Sequence, residues 1–300
     1  MAPEELDKLK TQPIDLRDMK TMPNRTQYFT GVKGEMVVTN MCQSFTVANL
    51  IGHEVKVAVA PEDIAFTGYI SVLQKESKIF DPVELTDETY IKHTGGSTAF
   101  FAQAVVERNK GYCRQKALDR FALKNYPGKS SLAALDAEVE QKQMRSGNLL
   151  SFMDQICGKR LSAGDFIVRE NSVSEFTSSN EEDKLCPFLN VRSGLTHCEL
   201  REAKLDYLRE IDALLEAGRP AGLQLYNVHY VTIVGRKAHG EFIIQDSIPE
   251  AEVKRTWMEI AKNDPLNYTQ KLRYEGGFQI WPRSTLFEAI TGITWVEKKP

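Results

Sequence analysis

The chain has 300 residues, 42% of them hydrophobic, enough for one large core or two packed lobes. Its 38 Lys+Arg against 41 Asp+Glu leave no basic excess of the kind that nucleic acid or an anionic membrane surface selects, so a small or peptidic partner is expected. No run approaches the roughly 20 apolar residues of a membrane span, and the opening MAPEELDKLK lacks the apolar core of a signal peptide. A signal already removed would leave the same start.

In chain order, a polar opening leads to CQSFTVANLIGH, where Phe45, Ala48 and Ile51 recur at helical spacing and Asn40 stands where it could cap the start. This predicts a buried helix beginning at Cys42. The middle third carries further helical sequence, FAQAVVERN at 101–109 and SLAALDAEVEQKQM at 131–144, broken by YPGK. From about residue 199, Leu205, Leu208, Ile211 and Leu215 form one apolar stripe on a helix that Gly218 and Pro220 end. The runs LQLY, HYVTIVG and EFIIQD then alternate with period 2, the last two joined by RKAHG as a hairpin, and FQIW and ITWV read as closing strands. Helices first and an antiparallel sheet after them predict an α+β protein with two lobes.

Five cysteines stand at 42, 113, 157, 186 and 198. One thiol in a special context plus four candidates for disulfides, Cys113, Cys157, Cys186 and Cys198, suits an exported chain; five reduced thiols would suit a cytosolic one. Cys186 and Cys198, bracketing a short loop, are the favoured pair.

The chemistry centres on Cys42. A thiol attacks as thiolate, a state favoured by a helix N-terminus and by a neighbouring imidazolium, and the unpaired N–H groups of a first helical turn can also bind an oxyanion. His229 opens HYVTIVG, and Asp246 follows it by 17 positions (246 − 229), a spacing that sets both at one end of a hairpin, where the carboxylate can hold the second ring nitrogen. A histidine bonded to backbone in an ordinary strand is the plain alternative. His53, His93, His197 and His239 fall in expected turns or loops. Cys186 with His197 and Cys198 comes closest to zinc-site spacing but lacks a fourth ligand, so no metal is expected. GGS at 95–97 lacks the lysine of a phosphate loop, and no cofactor is expected.

Taken in order, these segments resemble the papain-like (clan CA, cathepsin-type) cysteine peptidases, in particular their divergent bacterial branch. PIDLRD at 13–18 is similar to the family's opening segment, and MPNRTQ at 22–27 to the stretch ending in its oxyanion-hole glutamine, here Gln27. TNMCQSFTVANL resembles the nucleophile helix. TGGSTAFFAQAVVERNKGYC resembles the glycine-pair segment that lines the substrate cleft, with Gly95 and Gly96 facing substrate. LREIDALLEAGRPAGLQLY, HYVTIVGR and EFIIQDS are similar to the helix and strands that carry the histidine and its orienting partner, and GGFQIWPRSTLFEAITGITWV to the closing strands. Three positions depart from the pattern: Gln43 replaces an aromatic residue, Asp246 an asparagine, and Ile248-Pro249 a Trp-Gly. Gln27 also stands fifteen positions before Cys42 (42 − 27), farther than in the family, so either YFTGVKGEMVVTN is an insertion or another group such as Asn40 serves.

The resemblance implies a single papain-like catalytic domain over 1–300, mainly helical over about 13–200 with the nucleophile, and mainly β over about 200–300 with the histidine. It implies a Cys42–His229–Asp246 triad acting on peptide or protein substrates. An acyltransferase or deamidase on the same triad, and an inactive scaffold that binds a peptide or protein, are the other readings.

Overall fold

A computed structural model describes residues 6–7, 11–77, 98–162, 165–172, 197–226, 229–249, 252 and 273–299. The helices among them are α1 (Cys42–Val55), α2 (Pro61–Ser77), α3 (Thr98–Asn109), α4 (Gln115–Asn125), α5 (Ser131–Lys142), α6 (Ser146–Cys157), α7 (His197–Glu216) and α8 (Arg283–Ala289). The strands are β1 (Ile14–Asp15), β2 (Tyr28–Thr30), β3 (Met36–Val38), β4 (Gly111–Tyr112), β5 (Leu161–Ser162), β6 (Phe166–Ser172), β7 (Ala221–Leu225), β8 (His229–Arg236), β9 (Phe242–Gln245), β10 (Arg273–Glu275), β11 (Phe278–Trp281) and β12 (Ile290–Lys298). The class is α+β, as the order of sequence signals predicts. The chain divides into two compact units, one of residues 18–169, 247–249 and 296–300, the other of 1–17, 170–246 and 250–295.

In the first unit α1 is buried from Cys42 through Gly52, because its apolar positions are not confined to one stripe. Phe45 joins Phe66, Leu118, Leu135 and Met153 in one apolar cluster, while Val47, Leu50 and Ile51 join Ile64, Phe101 and Val105 in another. Gly52 is required for closeness: a Cβ there would lie 2.4 Å from the Thr21 carbonyl. The break at YPGK is a turn with Gly128 at φ +85°, and Ser130 then caps α5 by accepting from the Ala133 N–H. Cys113 and Cys157 form a disulfide with Cα atoms 5.1 Å apart. Closing that loop, 44 residues apart in sequence, removes about 4 kcal/mol of unfolded-chain entropy in the chain-entropy treatment. The favoured Cys186–Cys198 pair lies outside the described residues, as does Cys186 itself; only the backbone of Cys198, in α7, is described.

In the second unit the large sheet runs β10-β11-β9-β8-β7-β12-β6, with β1 paired to β8. All eight residues of β8 are buried, which fits a central strand made of Tyr, Val, Ile and Thr. The hairpin predicted through RKAHG forms, with Lys237 N–H on the Glu241 carbonyl at 2.7 Å and Gly240 at φ +80°. Helix α7 buries Leu208, Ile211 and Leu215 as expected, with Tyr207 and Leu214 added and Leu205 only half-buried. It ends where expected, Gly218 taking φ +72° and its N–H bonding the Leu215 carbonyl at 2.9 Å.

Under α7, Asp212 bridges two buried arginines, with Oδ1 2.7 Å from Arg236 Nη1 and both carboxylate oxygens held by Arg283 at 2.7 and 2.8 Å. Arg236 has Glu216 as a second partner at 2.8 Å; the charge of Arg283, whose side chain is 2% exposed, is met by Asp212 alone among the described residues. Removing one partner of a buried pair strands the other charge. Asp212→Ala is therefore expected to lower unfolding free energy by about 3 kcal/mol in urea titrations, and Glu216→Ala by under about 1 kcal/mol, since Glu216 is a solvent-facing partner.

Candidate active site

Cys42 and Gln27 lie in the first unit. Cys42 is the first residue of α1, and the residue in the cap position is Met41, which makes no side-chain cap bond. The expected Asn40 cap is thus corrected: with Met41 at φ −93°, ψ 10°, the helical backbone starts one residue later than Asn40 capping needs. The N–H groups of Ser44 and Phe45 both go to the Met41 carbonyl, at 2.8 and 3.1 Å, so those of Cys42 and Gln43 have no acceptor within the helix. No acidic residue stands in this first turn to oppose a thiolate. Cys42 is a free thiol, 8% exposed, whose Sγ lies 3.7 Å from Gln43 Oε1.

Gln27 reaches this region through a hairpin. YFTGVKGEMVV folds into β2 and β3 with Tyr28 opposite Val38, so residues 27 and 39 are neighbours and the fifteen-residue gap closes on itself. Thr39 Oγ1 donates to the Gln27 carbonyl at 3.0 Å. The Gln27 N–H donates to the Ser247 carbonyl and Ser247 Oγ to Gln27 Oε1, both at 2.9 Å. With Oε1 occupied as acceptor, the end of the amide left to act on a ligand is Nε2, a donor.

Two residues before Gln27, the Arg25 guanidinium donates to the Val59 carbonyl at 3.1 Å and to Gln115 Oε1, and it lies 5.8 Å from the Phe45 ring centre. Burial pushes the Glu62 carboxyl up and the Arg25 guanidinium down, each opposed by the charge of the other. Ser131 Oγ donates to Glu62 and accepts from Gln115 Nε2 at 3.1 Å, tying α2, α4 and α5 to the segment before Gln27.

The histidine half lies in the second unit. Thr232 pairs with Gln245 across β8 and β9; continuing that register by one residue sets Asp246 opposite Val231, and His229 on the diagonal. His229 Nε2 is 2.8 Å from Asp246 Oδ1. The expected pairing at one end of the hairpin is therefore found, with both groups buried.

Sequence reasoning missed what holds Asp246. Gln279 Nε2 donates to Asp246 Oδ2 and Trp281 Nε1 to Gln279 Oε1, each at 2.7 Å. Gln279 stands opposite Ile244 in the β11–β9 register and is diagonal to Asp246, and Trp281 is two residues on, so all four groups share one face of the sheet. The available signal was Gln279 itself, a polar residue centred in the apolar strand FQIW and 2% exposed.

This chain fixes proton positions. An indole N–H only donates, so Gln279 Oε1 must accept and its Nε2 must donate to Asp246. A carboxylate only accepts, so His229 Nε2 carries a proton, and the basic lone pair of the neutral ring is on Nδ1.

The other predicted positions are dispersed. Gly95, Gly96 and His93 lie outside the described residues. His53 is in the last turn of α1 and His197 opens α7, where loops were expected; Val55 and the long α7 stripe extend those helices past the apparent polar breaks. His239 is in the turn between β8 and β9, as expected. No protein-family model matches the chain, and no curated protein matches it in sequence.

The bonding polarity predicts a non-additive pair of substitutions. The amide of Asp246→Asn can accept from His229 only by pointing its NH2 at the Gln279 NH2, and Gln279 cannot flip without facing its NH2 to the Trp281 N–H. Asp246→Asn is expected to cost about 1–3 kcal/mol. In a Trp281→Phe background Gln279 is free to flip, and the added cost of Asp246→Asn should shrink by about 1 kcal/mol in a double-mutant cycle. Equal costs in both backgrounds would contradict the polarity.

Proposed function

We propose that the protein is a cysteine endopeptidase, or a closely related thiol hydrolase, with Cys42 as nucleophile, His229 as general base and acid, and Asp246 as the group that orients His229. The observation that carries the reading is the bonded series Trp281, Gln279, Asp246, His229, which is more than a structural strand histidine needs and which leaves Nδ1 as the nitrogen that exchanges a proton with a thiol. Cys42 at the start of a buried helix and Gln27 with Nε2 as its donor end support the same reading.

In this reaction Cys42 Sγ gives up its proton to His229 and bonds the carbonyl carbon of a peptide. The Cys42 N–H and Gln27 Nε2 take the negative charge that develops on oxygen. The C–N bond breaks as His229 returns the proton to the leaving amine. Water, deprotonated by His229, then cleaves the thioester and restores the thiol. Asp246 orients the ring and stabilises the imidazolium more strongly than a neutral amide would.

The disulfide Cys113–Cys157 is compatible with an oxidising, exported setting, and we place the protein there; no helix among the described residues is long and apolar enough to cross a membrane. A second reading, an inactive scaffold that binds a peptide, is favoured by the burial of Cys42 and its contact with Gln43. An acyltransferase or deamidase would use the same groups with a different acceptor, which mass spectrometry of products distinguishes.

Cys42→Ala is expected to abolish both cleavage of a broad peptide library and labelling by an epoxide thiol inhibitor, with the circular dichroism spectrum unchanged. Turnover retained by that variant would refute the assignment. His229→Ala should slow iodoacetamide alkylation of Cys42 at pH 6 by at least about tenfold, because the thiolate loses its imidazolium partner. Alkylation at an unchanged rate would favour the scaffold.

A further inference from the structure

We propose that the first unit carries a second binding site, for an extended acidic peptide, in the cleft between α4 and the end of α6. The cleft is open to solvent and has a volume of about 570 Å³, within the range of ligand-binding sites. Arg114, Lys116, Arg120, Lys124 and Lys159 line it, and no carboxylate does. None of these five side chains makes an ion pair or hydrogen bond among the described residues. The carboxylates nearby are committed elsewhere: Asp154 on α6 to Arg160 at 2.9 Å and Arg108 at 3.3 Å, and Asp119 on α4 to Gln115 at 2.8 Å. Five like charges concentrated in one concave site repel one another, and a bound polyanion relieves that repulsion.

The spacing of the charges selects the shape of the anion. Lys116, Arg120 and Lys124 recur every four residues, a rise of about 6 Å per step on one helix face. Alternate side chains of an extended peptide are about 6.7 Å apart on one side, so acidic residues at alternate positions match the three cations in turn. Arg114 and Lys159 add charge at the ends of the flanking elements. Phe121 and Ile156 provide an apolar floor for the peptide backbone. The Phe121 ring already packs edge-on against Phe152 at 5.3 Å and tilted against Tyr126 at 5.9 Å, so it is a poor platform for stacked bases, which argues against a nucleic-acid occupant.

The site is also built rather than incidental. Cys113 immediately precedes Arg114 and Cys157 stands two residues before Lys159, so the disulfide clamps the two walls of the cleft together. Walls held before the ligand arrives lower the entropy cost of binding.

The test is fluorescence anisotropy with a labelled peptide of alternating glutamate and alanine, added to the full chain as Cys42→Ala so that turnover does not enter. Saturable binding that weakens at least tenfold in K116E/R120E/K124E and between 50 and 500 mM NaCl, and that Lys129→Glu outside the cleft leaves unchanged, is the expected result. K116Q/R120Q/K124Q, with thermal melts of all variants, guards against a folding defect and should weaken binding in the same direction. Absence of saturable binding, equal affinity in the triple variants, or equal or tighter binding of a single-stranded oligonucleotide of matched charge would overturn the proposal.

Discussion

The candidate site depends on one constraint: a carboxylate accepts hydrogen bonds and an indole N–H donates them, and neither can do the reverse. Asp246 is buried with both oxygens occupied, by His229 and by Gln279, and Trp281 fixes which end of Gln279 faces it. Every proton in the series follows from those two chemical facts. The result is a histidine whose tautomer is set by the Asp246 carboxylate, with Trp281 fixing which end of Gln279 meets that carboxylate. Gln279 presents a donor to the second oxygen of Asp246, which a carboxylate can use and an amide nitrogen at that position could not.

The same need for satisfied buried polar groups organises the other half. Gln27 is held at three points, by Thr39 on its carbonyl and by Ser247 on both its N–H and its Oε1. The β2–β3 hairpin brings Thr39 to it, so a stretch that looks like an insertion in sequence works as a fold-back that keeps Gln27 within three residues of Cys42 in chain terms, through Thr39. Behind it, the Arg25 and Glu62 charges, the Gln115 amide and the Ser131 hydroxyl connect the loop before Gln27 to three helices. Arg25 and Glu62 make no direct ion pair, and Arg25 Nε and Nη2 and Glu62 Oε2 have no hydrogen-bond partner among the described residues, so the two charges offset each other only at a distance.

What the sequence made legible were features set by local periodicity. The α1 and α7 helices, the β8–β9 hairpin and the pairing of His229 with Asp246 all follow from spacing of 3.6 or 2 and from a turn rich in polar residues. What it concealed were partnerships between residues distant in the chain. Gln279 and Trp281 are 33 and 35 positions from Asp246 (279 − 246 and 281 − 246), and Ser247 is 220 from Gln27, separations over which no periodicity speaks. The Asn40 cap failed for a different reason: the helix starts at Cys42, which puts Met41, a residue with no polar side chain, in the cap position. Among the four cysteines named as disulfide candidates, spacing could not say that Cys113 joins Cys157 across 44 residues, because tertiary packing of α6 against the start of α4 brings them together.

Net charge conceals as much as it reveals, because it sums over groups that differ in whether they are paired. The balance of 38 cations and 41 anions argues against a basic face only if the two kinds are evenly mixed. They are not mixed evenly here. Carboxylates are consumed at specific points, Asp212 by Arg236 and Arg283, Asp63 by Arg160, Asp154 by Arg160 and Arg108. Each such site removes local anions from the surface that would otherwise offset neighbouring cations. On α4, the acidic residue that shares the helix with Lys116, Arg120 and Lys124 is Asp119, and it is turned to Gln115. With three cations on α4 against this one anion, and the anion turned aside, the helix presents a cationic stripe that the near balance of the whole chain does not reveal.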